Sequence, residues 1–175
     1  MIIKLRRVLL VLIALLAVPA TAHAEALRTY VSNAELVGEA RLQMFFFKIY
    51  DAQLFAPDGR FERDGAYALR LNYLINAKKD KIVERTVKEM KRQKSASNRV
   101  IESWVPLMEA NFISMPKGSS ADFIHTADGR LILAANGEEL AEITNRRFIK
   151  ALMDIWLGPN VRDPEFQREL MGTAQ

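Results

Sequence analysis

The spacing of apolar and polar residues changes period several times along this chain, and the changes outline its elements. Tyr67, Leu69, Leu71, Tyr73 and Ile75 alternate with Ala68, Arg70, Asn72 and Leu74, which predicts a strand over 67–75. Upstream, 34–43 and 45–55 read as two further strands. In the first, Leu36, Gly38, Ala40 and Leu42 share one face, and Val37, Glu39, Arg41 and Gln43 share the other. Residues 27–31 suit an edge strand, and Pro57-Asp58-Gly59 is a turn signal.

After Asp80 the period becomes helical. Ile82, Val83, Val87 and Met90 fall on one face of a helix through about Gln93, with Asp80 as its cap. The other face is cationic, from Lys78 to Lys94, and reads as a solvated surface in which Glu84 and Glu89 dilute the field. A second helical stretch covers 99–113, kinked or restarted by Pro106. Strands over 121–127 and 130–135 meet at Asp128-Gly129, and Asn136-Gly137 leads into a short strand near 140–143. Thr144 or Asn145 caps a helix carrying Phe148, Leu152, Ile155 and Trp156, with Gly158 as its C′ residue. Asp163-Pro164-Glu165 opens a last short helix that buries Phe166 and Leu170. Consecutive hairpins with amphipathic helices define an α+β class: an antiparallel sheet with helices packed on one side.

The first residues change the charge reading. Lys4, Arg6 and Arg7 precede an apolar run over 8–18, and Ala22-His23-Ala24 ends it. This is the pattern of a secretory signal peptide over 1–24, followed by a single domain over 25–175. The implied location is periplasmic or secreted. Removal of the three cations lowers the formal charge from +4 to +1, which excludes a nucleic-acid partner on charge grounds. Membrane contact is at most peripheral. The chain has no cysteine, and after processing only His125 remains, so no metal site is assigned. A nucleophile elbow and a phosphate-binding glycine loop are both missing from the sequence. No catalytic residue and no cofactor are assigned.

What is left is ligand binding. Arg41 lies just before the aromatic run Phe45-Phe46-Phe47, with Tyr50 and Tyr73 nearby in pattern. A guanidinium beside apolar walls suits a small amphipathic anion. Pairing with Glu39, or simple exposure, is the structural alternative for Arg41.

Several segments carry a family likeness in their order and spacing. They are Gly38-x-x-Arg41, Phe47-Lys48-Ile49-Tyr50-Asp51-Ala52-x-Leu54-Phe55, Ala68-Leu69-Arg70-Leu71-x-Tyr73, the Lys/Glu-rich helix, and Phe148 with Ile155-Trp156-Leu157-Gly158 and Pro164. Together they resemble the chalcone isomerase-like family, in its bacterial secreted branch. The resemblance implies an open-faced β-sandwich with a ligand cleft. Some members of that family close a flavanone ring without a cofactor. Others bind fatty acids without catalysis through an arginine and a tyrosine. The family arginine matches Arg41, the catalytic threonine falls at Tyr50, and a lysine falls near Arg70. The catalytic tyrosine and an asparagine fall near Lys79 and Thr86. The resemblance therefore implies a non-catalytic binding protein for a fatty acid or similar amphipathic anion, with Arg41, Tyr50, Arg70 and Tyr73 as ligand-binding residues. The alternative it leaves is a cofactor-independent isomerase (intramolecular lyase).

Overall fold

The computed structural model describes residues 27–173; the expected signal segment lies outside them. Six strands form one antiparallel sheet in sequence order: β1 Ala34–Met44, β2 Phe47–Pro57, β3 Tyr67–Tyr73, β4 Ser120–His125, β5 Leu131–Ala135 and β6 Glu138–Ile143. Each strand pairs antiparallel with the next; short turns join β1 to β2, β4 to β5 and β5 to β6, while a long helical segment separates β3 from β4. Beyond a helical turn at the start of the described residues, five helices follow: α1 Lys79–Gln93, α2 Asn98–Ser103, α3 Val105–Asn111, α4 Arg146–Leu157 and α5 Pro164–Leu170.

Register decides which face each side chain occupies. Leu42 sits opposite Tyr50, Ala40 opposite Ala52, and Tyr50 opposite Tyr73. These residues, with Leu54, Leu69, Leu71, Phe123 and Leu133, form the inner face, against which Phe148, Leu152 and Trp156 of α4 pack. The outer face carries Arg41, Asp51, Gln53, Arg70, Asn72 and Asp122. One corner of it is apolar: Ala68, Ile124 and Ile132 are covered by Leu27 and Val31. The segment expected as an edge strand is thus a helical turn over 27–30, docked on the outer face through a second small core.

Caps and breaks explain the helix limits. Asn145 Oδ1 accepts from Phe148 N at 3.1 Å, and Asp163 Oδ1 accepts from the backbone N–H groups of Glu165 and Phe166. Asp80 does not cap α1: it lies in the first turn, behind Lys78 as N-cap. The expected 99–113 helix is two helices that share Trp104, with Pro106 in the first turn of α3, where its missing N–H is no loss. Gly158 is extended (φ −79°, ψ 173°) rather than left-handed. A Cβ there would sit 2.7 Å from the Asp154 Cβ, so close approach explains the glycine. Gly38 serves the same end in β1. Any side chain would strike the α5 backbone, meeting Leu170 O at 2.8 Å, so the glycine lets α5 lie directly on the strand.

Candidate functional site

Between the inner sheet face and helices α1, α4 and α5 lies a cavity of 530 Å³. Its walls are apolar: Leu42, Met44 and Ile49 from the first hairpin, Leu71, Phe123 from the sheet centre, and Leu152, Ile155, Trp156 and Phe166 from the helices. The volume falls within the range of about 300–1,000 Å³ common for small-molecule sites.

Two tyrosines line this space, Tyr50 and Tyr73. The Tyr50 oxygen accepts a hydrogen bond from Trp156 Nε1 at 2.8 Å, which leaves its own proton available. Tyr73 stacks edge-on against Tyr50 at 5.9 Å between ring centroids and also lines the cavity. Burial pushes the Tyr50 phenol well above its ordinary range, against the opposing pull of the Trp156 N–H. Burial alone pushes Tyr73 up to about 12. Both are neutral donors at physiological pH, not bases.

The charge at the rim comes from α1 and the segment before α5. Glu89, only 5% exposed, holds three guanidinium groups. Arg85 Nη2 lies 2.9 Å from its Oε1, Arg162 Nε 2.8 Å from the same oxygen, and Arg92 Nε 2.7 Å from Oε2. Desolvation works to raise the Glu89 pKa, but the hydrogen bonds from Arg92 and Arg162 and the neighbouring positive charge outweigh it, and the net shift is downward. One carboxylate against three guanidinium groups leaves a cationic surplus. Arg85 and Arg162 both line the cavity, alongside Lys78 and Lys81. The arrangement is an apolar chamber with a positive edge.

The four residues expected to bind ligand divide into two pairs. Tyr50 and Tyr73 meet in the cavity. Arg41 and Arg70 do not join them: both point from the opposite face of the sheet. Arg41 sits directly across from Asp51, and its Nε and Nη2 donate to the two carboxylate oxygens at 2.5 and 2.9 Å. Asp51 takes the place that Glu39 was expected to fill, because a cross-strand neighbour is nearer than a residue two positions back. That pairing lowers the Asp51 pKa, through the Arg41 hydrogen bond first. Arg70 makes an equivalent fork to Asp122 at 2.6 and 3.0 Å, over the ring of Phe55. The positions near which the family's catalytic tyrosine and its asparagine fall, Lys79 and Thr86, also lie apart. Lys79 Nζ donates to Glu109 O at 3.1 Å, away from the cavity. Thr86 lines the cavity, but its hydroxyl donates to Ile82 O at 2.8 Å.

Sequence reasoning missed Arg85, Glu89 and Arg162. It assigned the first two to a solvated helix face. The signal lay in the spacing: Ile82, Arg85, Thr86, Glu89 and Gln93 follow a helical stripe, and Thr86, Glu89 and Gln93 are buried on it.

Comparison with known proteins agrees with this architecture. A family model described as chalcone isomerase-like matches residues 19–172. The chain belongs to the chalcone isomerase-like family. Among solved structures, the crystal structure of a fatty-acid binding protein of Arabidopsis thaliana (AtFAP1) is similar, with a TM-score of 0.60 and 11% sequence identity. The match covers 81% of this chain and 88% of that one. At that identity the likeness is one of fold. No curated protein matches the sequence.

Proposed function

We propose that this protein is a non-catalytic binding protein for a fatty acid or similar amphipathic anion, acting in the periplasm or outside the cell. The observation that carries the reading is the pairing of a 530 Å³ apolar cavity with Arg85 and Arg162 on its edge. The anionic head would sit against these two guanidinium groups, where one charged hydrogen bond contributes about 1.5–3 kcal/mol. The tail would follow the apolar walls, each buried methylene adding about 0.8 kcal/mol. Tyr50 and Tyr73 would serve as neutral donors within reach of the head. The similar Arabidopsis structure, named for fatty-acid binding, supports the ligand class. The basic, apolar and small-residue succession over 1–24 supports export.

The isomerase alternative draws less support. Lys79 and Thr86, near which the family's catalytic tyrosine and its pocket asparagine fall, are committed to the backbone carbonyls of Glu109 and Ile82. Glu89, a carboxylate at the cavity, is held ionised by three arginines and is a poor general base.

Mass spectrometry of organic extracts from the purified native protein tests the proposal. A long-chain acid is expected in the wild type and is expected to be depleted in the Arg85→Met/Arg162→Met variant. An extract free of amphipathic acids, together with failure of added acids to bind, would remove this reading.

A further inference from the structure

The turn between β1 and β2 is built from residues that a solvated turn does not favour. Phe45, Phe46 and Phe47 are 87%, 94% and 68% exposed, the most exposed large apolar side chains among the described residues. Phe45 has a φ of 55°, in the left-handed region where glycine or asparagine is the usual choice. Gln43 Nε2 donates to Phe45 O at 2.9 Å and holds the turn in shape. Three rings therefore project from a fixed hairpin end into water.

The surroundings indicate what the rings meet. Met44 and Ile49, flanking the tip, are cavity wall, so the hairpin end adjoins the cavity. Lys78, Lys81, Arg85 and Arg162 line the same cavity, against the carboxylates of Glu89 and Asp163, and Lys81 pairs with Glu84 at 2.6 Å. Lys48, next to the tip, is exposed. An apolar projection beside a cationic excess is complementary to a bilayer with anionic headgroups. It is a poor match for a second copy of this chain, because a stable protein interface buries about 800 Å² per partner over a broad face, not a narrow wedge.

We propose that the Phe45-Phe46-Phe47 tip inserts into the interface of an anionic membrane, with Lys48 and the cationic cavity rim over the lipid phosphates. The cavity mouth then faces the bilayer as the source or destination of its cargo; only this last step rests on the binding function proposed above.

Cosedimentation of the full chain with vesicles of phosphatidylglycerol and phosphatidylcholine, and with phosphatidylcholine alone, tests the docking. The variant Phe45→Gly/Phe46→Ser removes two rings and supplies turn residues suited to a positive φ, so the hairpin is retained. Its binding to the anionic vesicles is expected to fall by about ten- to a hundredfold. Wild-type binding is expected to weaken with added salt and with removal of phosphatidylglycerol. In a separate Phe46→Trp variant, the emission at the tip is expected to shift to the blue on adding anionic vesicles. Equal vesicle binding by the wild type and the double variant would overturn the proposal. So would a tip signal that shifts with protein concentration in the absence of lipid, the mark of self-association. Docking by a protein that neither carries nor takes up an acid would support the membrane proposal while counting against the binding one.

Discussion

Arg162 and Glu89, 73 residues apart in the chain, are joined at the cavity edge by a hydrogen bond of 2.8 Å from Nε to Oε1. The contact ties the segment before α5 to the middle of α1. Glu89 is thus both a structural link and the reason that two arginines are held at the cavity.

Replacing Glu89 with glutamine is expected to destabilise the fold by about 2–3 kcal/mol, because three guanidinium groups lose their shared carboxylate. Denaturant unfolding measures this. The pH dependence has a definite sign. The folded-state pKa of Glu89 is depressed, so its contribution is complete above the unfolded value of about 4.3 and fades as pH falls through the folded value. Wild-type stability should therefore decline in acid more steeply than that of Glu89→Gln. Identical acid profiles would show that the network adds nothing to folding.

At the alkaline end the buried phenols act. Tyr50, Tyr67 and Tyr73 all have raised pKa values, with burial the leading cause. Raised folded values mean that their contribution is intact below the unfolded value of about 10 and is lost as pH climbs through the folded range. Phenolate absorbance is expected to appear together with the loss of circular dichroism, above pH 10. A smooth titration near pH 10 of more than the one phenol of the less buried Tyr30, with the fold intact, would contradict the burial of these rings.

The two outer-face arginines should separate stability from binding. Arg41 and Asp51 form a surface pair, so Arg41→Ala is expected to leave ligand affinity unchanged within about twofold and to shift the unfolding midpoint only slightly. Arg70 faces Asp122, which is 1% exposed. Arg70→Leu is expected to lower stability by about 2–4 kcal/mol by stranding that carboxylate, again with affinity retained. Calorimetric titration alongside thermal unfolding reads both quantities. A loss of affinity in Arg41→Ala without a loss of stability would return Arg41 to the ligand site.

The strand pattern was legible because it depends on local alternation: Tyr67 to Tyr73, the Asp128-Gly129 and Asn136-Gly137 turns and the Asn145 and Asp163 caps all lie where the residues indicate. Alternation also placed Arg41 and Leu42 on opposite faces. It did not reveal which face was inner, since that depends on where the helices dock. The alternation of β1 breaks at the bulge between Leu36 and Gly38, which turns Leu36 outward. The Phe45-Phe46-Phe47 run falls in the strand expected over 45–55, yet Phe45 and Phe46 make the turn. The Glu89 cluster depends on Arg162 arriving from 73 residues away, beyond the reach of any local pattern.

The central claim is that Arg85 and Arg162 anchor the head of an amphipathic anion whose tail fills the cavity. Calorimetric titration with a series of saturated fatty acids of increasing length tests it most directly. Affinity is expected to rise about fourfold per added methylene until the cavity is full, and to fall about tenfold or more at every length in Arg85→Met/Arg162→Met. Equal affinity for short and long acids, or undiminished affinity in the double variant, would contradict the claim.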